Sequence, residues 1–265
     1  MQRRRSIRKI IQEPQVVEHR TNIQRRDNPK DPVRTTNNQI IRTSFSKTMH
    51  LRNDNTPPEV KVQYSTVPKM FTGETIYIIG GGHSLKNFNF DSLVGRKTIA
   101  INKAILYHEK ADVLYWTDGR FYTWFKNNVD SYKGLKFALK PLNAYTPDIQ
   151  VLKKGKQYGL ETDPQILAHG FNSGYAAINL AYHLGAARII LLGFDMCNDG
   201  VISHFHDGYP TKPAGEHIYK DKFLPGFKQL GLDLRAAGVQ VMNATSYSRL
   251  NVFPKISIEE ALSFR

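Results

Sequence analysis

Between residues 202 and 219 the chain reads ISHFHDGYPTKPAGEHIY, which brings His204, His206, Asp207 and His217 within fourteen positions. Three of the nine histidines therefore crowd one segment. An imidazole changes charge near neutral pH, which suits it to take a proton from an attacking hydroxyl. His206 is the first choice for such a base, because the neighbouring Asp207 and His204 could orient its ring or tune its pKa. His204, Asp207 and His217 complete the candidate catalytic set. The same residue types also bind metals, although alternate positions on an extended segment supply only two nitrogens on one side. A polar surface loop with no special task would read the same way.

A second stretch offers anion chemistry. In TIYIIGGGHSLK (residues 75–86) an apolar run ends in Gly80, Gly81 and Gly82, followed closely by Ser84. Glycines either relieve a tight turn or let backbone N–H groups approach a phosphate. The spacing fits neither the Walker loop nor the dinucleotide fingerprint. Further on, FNSGYAA places Asn172 or Ser173 as the cap of a helix with Gly174 in its first turn. The free N–H groups of a helix start also favour a phosphate, although an ordinary cap has the same sequence.

The elements that would hold these residues follow from hydrophobic pattern. Runs at residues 75–80, 97–102, 112–118, 135–140, 187–195 and 238–245 are short, β-branched or aromatic, and bounded by turn residues, so they read as buried strands. NSGYAAINLAYHLGA and FLPGFKQLGLDLRAAG read as helices ending at Gly185 and Gly238. DGRFYTWFKNN could stack Phe121, Tyr122 and Trp124 on a base or sugar, but helical spacing favours an apolar side turned inward. Strands alternating with helices predict an α/β, Rossmann-like, doubly wound and mainly parallel sheet. Ligands of such sheets sit beyond the strands' carboxyl ends. That rule adds Asn102, Asp118 and Arg120 to the candidate nucleotide contacts, with Asp195, Asn243 and Ser246 nearby.

Charge divides the chain. Residues 1–65 hold 14 Lys/Arg against 6 Asp/Glu, a net +8, out of +14 for all 265 residues. With no sustained apolar periodicity there, residues 1–70 read as an extended basic arm preceding a domain at 71–265. Such an arm is a solvated tail, a binder of nucleic acid, or a segment that folds on a protein partner or a second copy of the chain. No apolar run is long enough for a membrane span. The single cysteine, Cys197, excludes an intrachain disulfide and fits a reducing compartment.

Together these segments carry a resemblance. IIGGGHSLKNFNFDSL is similar to the first strand and GNGPSLK loop of the bacterial, Campylobacter-type sialyltransferases, and NSGYAAINLAYHLGAARIILLGFDM resembles a later segment of theirs in the same order. The pattern also resembles hydroxymethylpterin pyrophosphokinase-like proteins and uncharacterised bacteriophage proteins. It covers residues 75–248. The resemblance implies a nucleotide cleft in which Gly80, Gly82, Ser84, Asn102, Ser173 and Gly174 meet the donor and a histidine of the lid region is the base. Asp118 stands where the sialyltransferases carry Asn, and Cys197 where they carry Tyr, which points away from CMP-sialic acid as donor. The foremost expectation is a nucleotide-dependent transferase, a glycosyltransferase with a nucleotide-sugar donor, acting in the cytoplasm of a bacterial host cell. One alternative is a virion or assembly protein that keeps the fold as a scaffold. The other is a pyrophosphokinase-like enzyme, which would need a divalent metal.

Overall fold

Near-continuous apolar runs become strands buried on both faces. The computed structural model describes residues 62–139, 141–142, 145–197, 204–210 and 215–264, so the basic arm lies outside the described residues up to 61. The described residues belong to one compact unit. Its strands are β1 (Thr75–Ile79), β2 (Lys97–Ile101), β3 (Val113–Trp116), β4 (Leu135–Ala138), β5 (Ile149–Val151), β6 (Lys153–Lys154), β7 (Ile166–Leu167), β8 (Arg188–Leu192) and β9 (Gln240–Asn243). The helices are α1 (Gly119–Ser131), α2 (Ser173–Leu184), α3 (Glu216–Ile218), α4 (Leu224–Ala236) and α5 (Ile258–Ser263). A π-helical turn, Tyr219–Phe223, joins α3 to α4.

Seven strands form one sheet in the order β5-β4-β3-β2-β1-β8-β9, and every neighbouring pair is parallel. The fold is therefore α/β and Rossmann-like. β6 and β7 pair separately as a short parallel ribbon. Alternation along each strand divides the core in two. Ile76, Ile78, Ile99, Tyr115 and Leu191 face α2 and α4, whose Ile178, Leu180, Phe227 and Leu230 cover them. Tyr77, Ile79, Leu114, Trp116 and Leu192 face the other way and meet Phe121, Tyr122 and Val129 of α1. Each such side chain, fully withdrawn from water, stabilises the fold by about 1.5–3 kcal/mol.

All six expected strands are present, with ends trimmed by one to three residues. The helix expected at NSGYAAINLAYHLGA is α2; the Asn172 side chain accepts from Tyr175 N, and the chain stops at Gly185 with φ 99°. The inward-facing reading of Phe121 and Tyr122 also holds, since both are buried. Packing begins upstream of residue 71: Val67 is buried, and Ser65 N donates to Val151 O of β5 at 2.8 Å. Among the described residues no helix is long and apolar enough to cross a membrane.

Candidate nucleotide site

The sheet order reverses at β1, which has β2 on one side and β8 on the other. Such a reversal leaves a crevice beyond the strand ends, because the two connections depart in opposite directions. A cavity of about 540 Å³ lies there. Its walls come from Gly80, Gly81 and Gly82 after β1, Ile101 at the end of β2 and Asn102 after it, residues 193–197 after β8, and residues 171–174 at the start of α2. His204, Asp207, Gly208 and Tyr209 close one side, and Tyr219 and Phe223 of the π-helical turn another. The glycine loop and the α2 start, far apart in sequence, thus share one cavity.

Close approach explains two of the three glycines. Gly80 N donates to Leu192 O at 2.8 Å and Gly82 N to Gly193 O at 2.9 Å, laying the turn after β1 flat on the turn after β8. A Cβ on Gly80 would stand 2.7 Å from Gly193 O, and one on Gly82 would stand 2.3 Å from Asp195 Oδ1. Gly81 differs: its nearest neighbour is the His204 ring, at 3.0 Å from the Cβ position. Among the described residues, no acceptor engages the N–H of Gly81 or the N–H groups of Ser173 and Gly174, and the Ser173 hydroxyl has no partner either. These are the donors that the cavity wall offers to an anion.

Backbone strain gathers at the same place. Among the described residues the non-glycine positions with left-handed φ are Asn102 (52°), Phe171 (60°) and Met196 (53°), and all three line this cavity. Each such conformation costs on the order of 1–3 kcal/mol, and a fold retains it where its surroundings impose it.

Ser84, expected to meet the ligand, instead fastens the loop. Its N–H and hydroxyl donate to the Asp195 carboxylate at 2.9 Å and 2.5 Å. Tyr247 donates to the same carboxylate at 3.2 Å. Asp118 and Arg120 are not on the cavity wall. Asp118 caps α1 by accepting from Arg120 N at 2.9 Å and also pairs with the Arg120 guanidinium, and both side chains are exposed. The physical reason is distance across the sheet: β3 lies two places from β1, on the far side of β2.

The histidines sort by depth. His204 lines the cavity, while His206 is buried behind it, the two rings stacked with centroids 4.8 Å apart. Asp207 does not orient His206; its carboxylate accepts from the buried Lys103 ammonium at 2.6 Å, and Lys103 also donates to Gly208 O at 2.9 Å. His206 Nδ1 accepts from Gly208 N at 3.1 Å, so the proton of the neutral ring sits on Nε2, which is buried without a partner among the described residues. Burial, with the charges of His204 and Lys103 added, pushes the His206 pKa down to about 3. That ring is a poor base at neutral pH. Burial and Lys103 also lower His204 below its ordinary value, leaving it neutral at pH 7. His217 sits in α3 with its ring against Gly215, off the cavity wall. Among the described residues no group of three or more His, Cys, Asp or Glu side chains is placed to hold a metal ion.

No family model, no curated protein and no solved structure matches this chain.

Sequence reasoning noted Lys103 at a strand end and Tyr209 beside the histidines without giving either a role, and passed over Phe171, Tyr219 and Phe223. A lysine is exposed by default, so nothing announced that Lys103 would be 6% exposed and clamp the histidine segment. Phe171 stood next to a recognised cap, and the rule that cavities border helix starts could have flagged it.

The depressed histidines make stability pH-dependent. For a folded pKa below the unfolded value near 6.5, the unfolded chain binds protons first on acidification, so stability held above pH 6.5 is lost as pH falls. For His206 the loss continues down to about pH 3. His206→Asn is expected to reduce the slope of unfolding free energy between pH 6 and pH 4.5 by about 1.4 kcal/mol per pH unit, one proton's worth. Urea denaturation at a series of pH values reads this directly, and an unchanged slope would mean that His206 is not held neutral.

Proposed function

We propose that this protein is a nucleotide-dependent transferase, foremost a glycosyltransferase with a nucleotide-sugar donor. One observation carries the reading: the triglycine loop and the start of α2 line a single cavity at the switch point of a parallel sheet. The N–H groups of Gly81, Ser173 and Gly174 would receive the donor's phosphates, where they meet negative charge growing on the leaving group. The acceptor hydroxyl oxygen would bond to the sugar's anomeric carbon as the bond to the phosphate oxygen breaks. The acceptor's proton passes to His204, the histidine on the cavity wall. The resemblance to sialyltransferases supports the same arrangement, with His204 taking the role first expected of His206.

A thermal-shift panel tests this. CDP, UDP, GDP and ATP, each with and without Mg²⁺, are offered to the full chain. A nucleotide at about 100 times its Kd adds about 2.7 kcal/mol, which in a unit of this size raises Tm by roughly 5–10 °C. A shift with ATP and Mg²⁺ alone would favour the pyrophosphokinase-like reading, for which the cavity wall offers the Asp195 and Asp207 carboxylates. No shift with any nucleotide would sink the transferase and leave the scaffold.

A further inference from the structure

We propose that Phe171 is the platform on which a planar base of the ligand stacks, so that the cavity selects nucleotides over sugar phosphates or bare pyrophosphate. This rests on the anion seat argued above and names what lies beside it. Phe171 lines the cavity, yet the residue is 45% exposed. Its φ of 60° follows a Gly170 φ of 46°, so two consecutive left-handed residues deliver the ring next to the Asn172 cap and the free α2 donors. His169 and Tyr158 meet the ring edge-on, with centroids at 5.2 Å and 6.2 Å and interplanar angles of 82° and 81°. Contacts of that kind hold an aromatic ring in one orientation.

Neither folding nor solubility accounts for phenylalanine here. Asn or Gly would suit the left-handed backbone better, and either would suit contact with water better. Phe171 therefore departs twice from what stability selects, at one position, on the wall of the one cavity that also holds the strained Asn102 and Met196. Tyr219 and Phe223 add aromatic surface to the same cavity, from a π-helical turn of the kind often found at binding sites. The polar residues of the histidine segment supply a different part of the wall, suited to a sugar or an acceptor. The aromatic triplet expected to stack, Phe121, Tyr122 and Trp124, contributes nothing here, because the first two are buried in the core and none lines the cavity.

Calorimetric titration of the full chain with CDP, UDP, GDP, ADP and inorganic pyrophosphate tests the inference. The wild type is expected to bind at least one nucleoside diphosphate about tenfold or more tighter than pyrophosphate, the usual worth of a base stacked on an aromatic ring. Phe171→Asn should weaken that nucleotide about tenfold and leave pyrophosphate unchanged, while Phe171→Trp restores the affinity. Because Asn tolerates the backbone, the Phe171→Asn variant should keep or raise its Tm, which separates a binding role from a packing role. Equal affinity of Phe171→Asn and wild type for the nucleotide, or equal losses for nucleotide and pyrophosphate, would overturn the platform. Wild-type binding of pyrophosphate with no preference for nucleotides would overturn it too while leaving the anion seat standing, and binding of neither would remove both.

Discussion

A His204→Asn variant is expected to lose turnover by about 10²- to 10⁴-fold, the range for removing a positioned general base. The measurement is release of nucleotide from whichever donor the binding panel selects. Two observations single out His204 within its segment, and a third sets its pH dependence. It lines the cavity that His206 and His217 do not. Its ring lies over Gly81, 3.0 Å from where a Cβ would stand, and so next to one of the free backbone donors. Its pKa lies below the ordinary histidine value, from burial and then from Lys103. The last point fixes the shape of the pH profile. A base works unprotonated, so the acid limb of kcat/KM should fall below pH 6.5, and activity should stay flat from there through neutrality. His206→Asn is expected to retain most of the turnover and to be felt mainly in stability at acid pH. Full activity in His204→Asn with its loss in His206→Asn would return the base to His206 and mean that the segment rearranges when the ligand binds.

The strands were legible because their burial on both faces leaves no gap in the apolar run: all five residues of β1 are buried, as are four of the five in β8. β5 escaped notice because three residues at a sheet edge, one buried and two half-buried, make no pattern. The helix from residue 216 was seen only from its middle. Gly226 and Gly231 lower helix propensity, yet a Cβ at Gly226 would stand 2.3 Å from Tyr158 and one at Gly231 2.6 Å from Val252. Close packing overrides local preference there. In the site, the glycine loop and Asn172 were readable because each follows from local backbone need. Asp118 and Arg120 were misplaced because a strand end says nothing of which strands flank the switch point, and that order is a property of the whole sheet. The histidine segment was found by composition alone. Which ring faces the cavity depends on the buried Lys103, a contact about a hundred residues away that no local pattern encodes.

Gly82→Ala should cost about 3 kcal/mol of stability and lower Tm by roughly 6–12 °C in a unit of this size. Conformation is not the cause, since Gly82 has φ −63° and ψ 147°, values open to any residue. The cause is contact. Its Cβ would stand 2.3 Å from Asp195 Oδ1 and 2.6 Å from Gly193 O. The first atom could swing aside only by giving up the hydrogen bonds from Ser84 and Tyr247 that fasten the loop. The second is backbone and can yield only if the turns after β1 and β8 part. Gly81→Ala, one residue away, has its three nearest neighbours in the His204 and His206 rings, the closest being His204 Cδ2 at 3.0 Å. A side chain can give by a few tenths of an ångström, so this variant should keep its Tm within a few degrees while displacing the ring that lies over the free donor. Gly82→Ala should therefore strike the fold and Gly81→Ala the ligand, read by thermal unfolding and nucleotide titration of both variants. Equal losses of stability in the two would mean that the three glycines answer a single steric demand, and the division of the loop into a packed part and a ligand-facing part would be wrong.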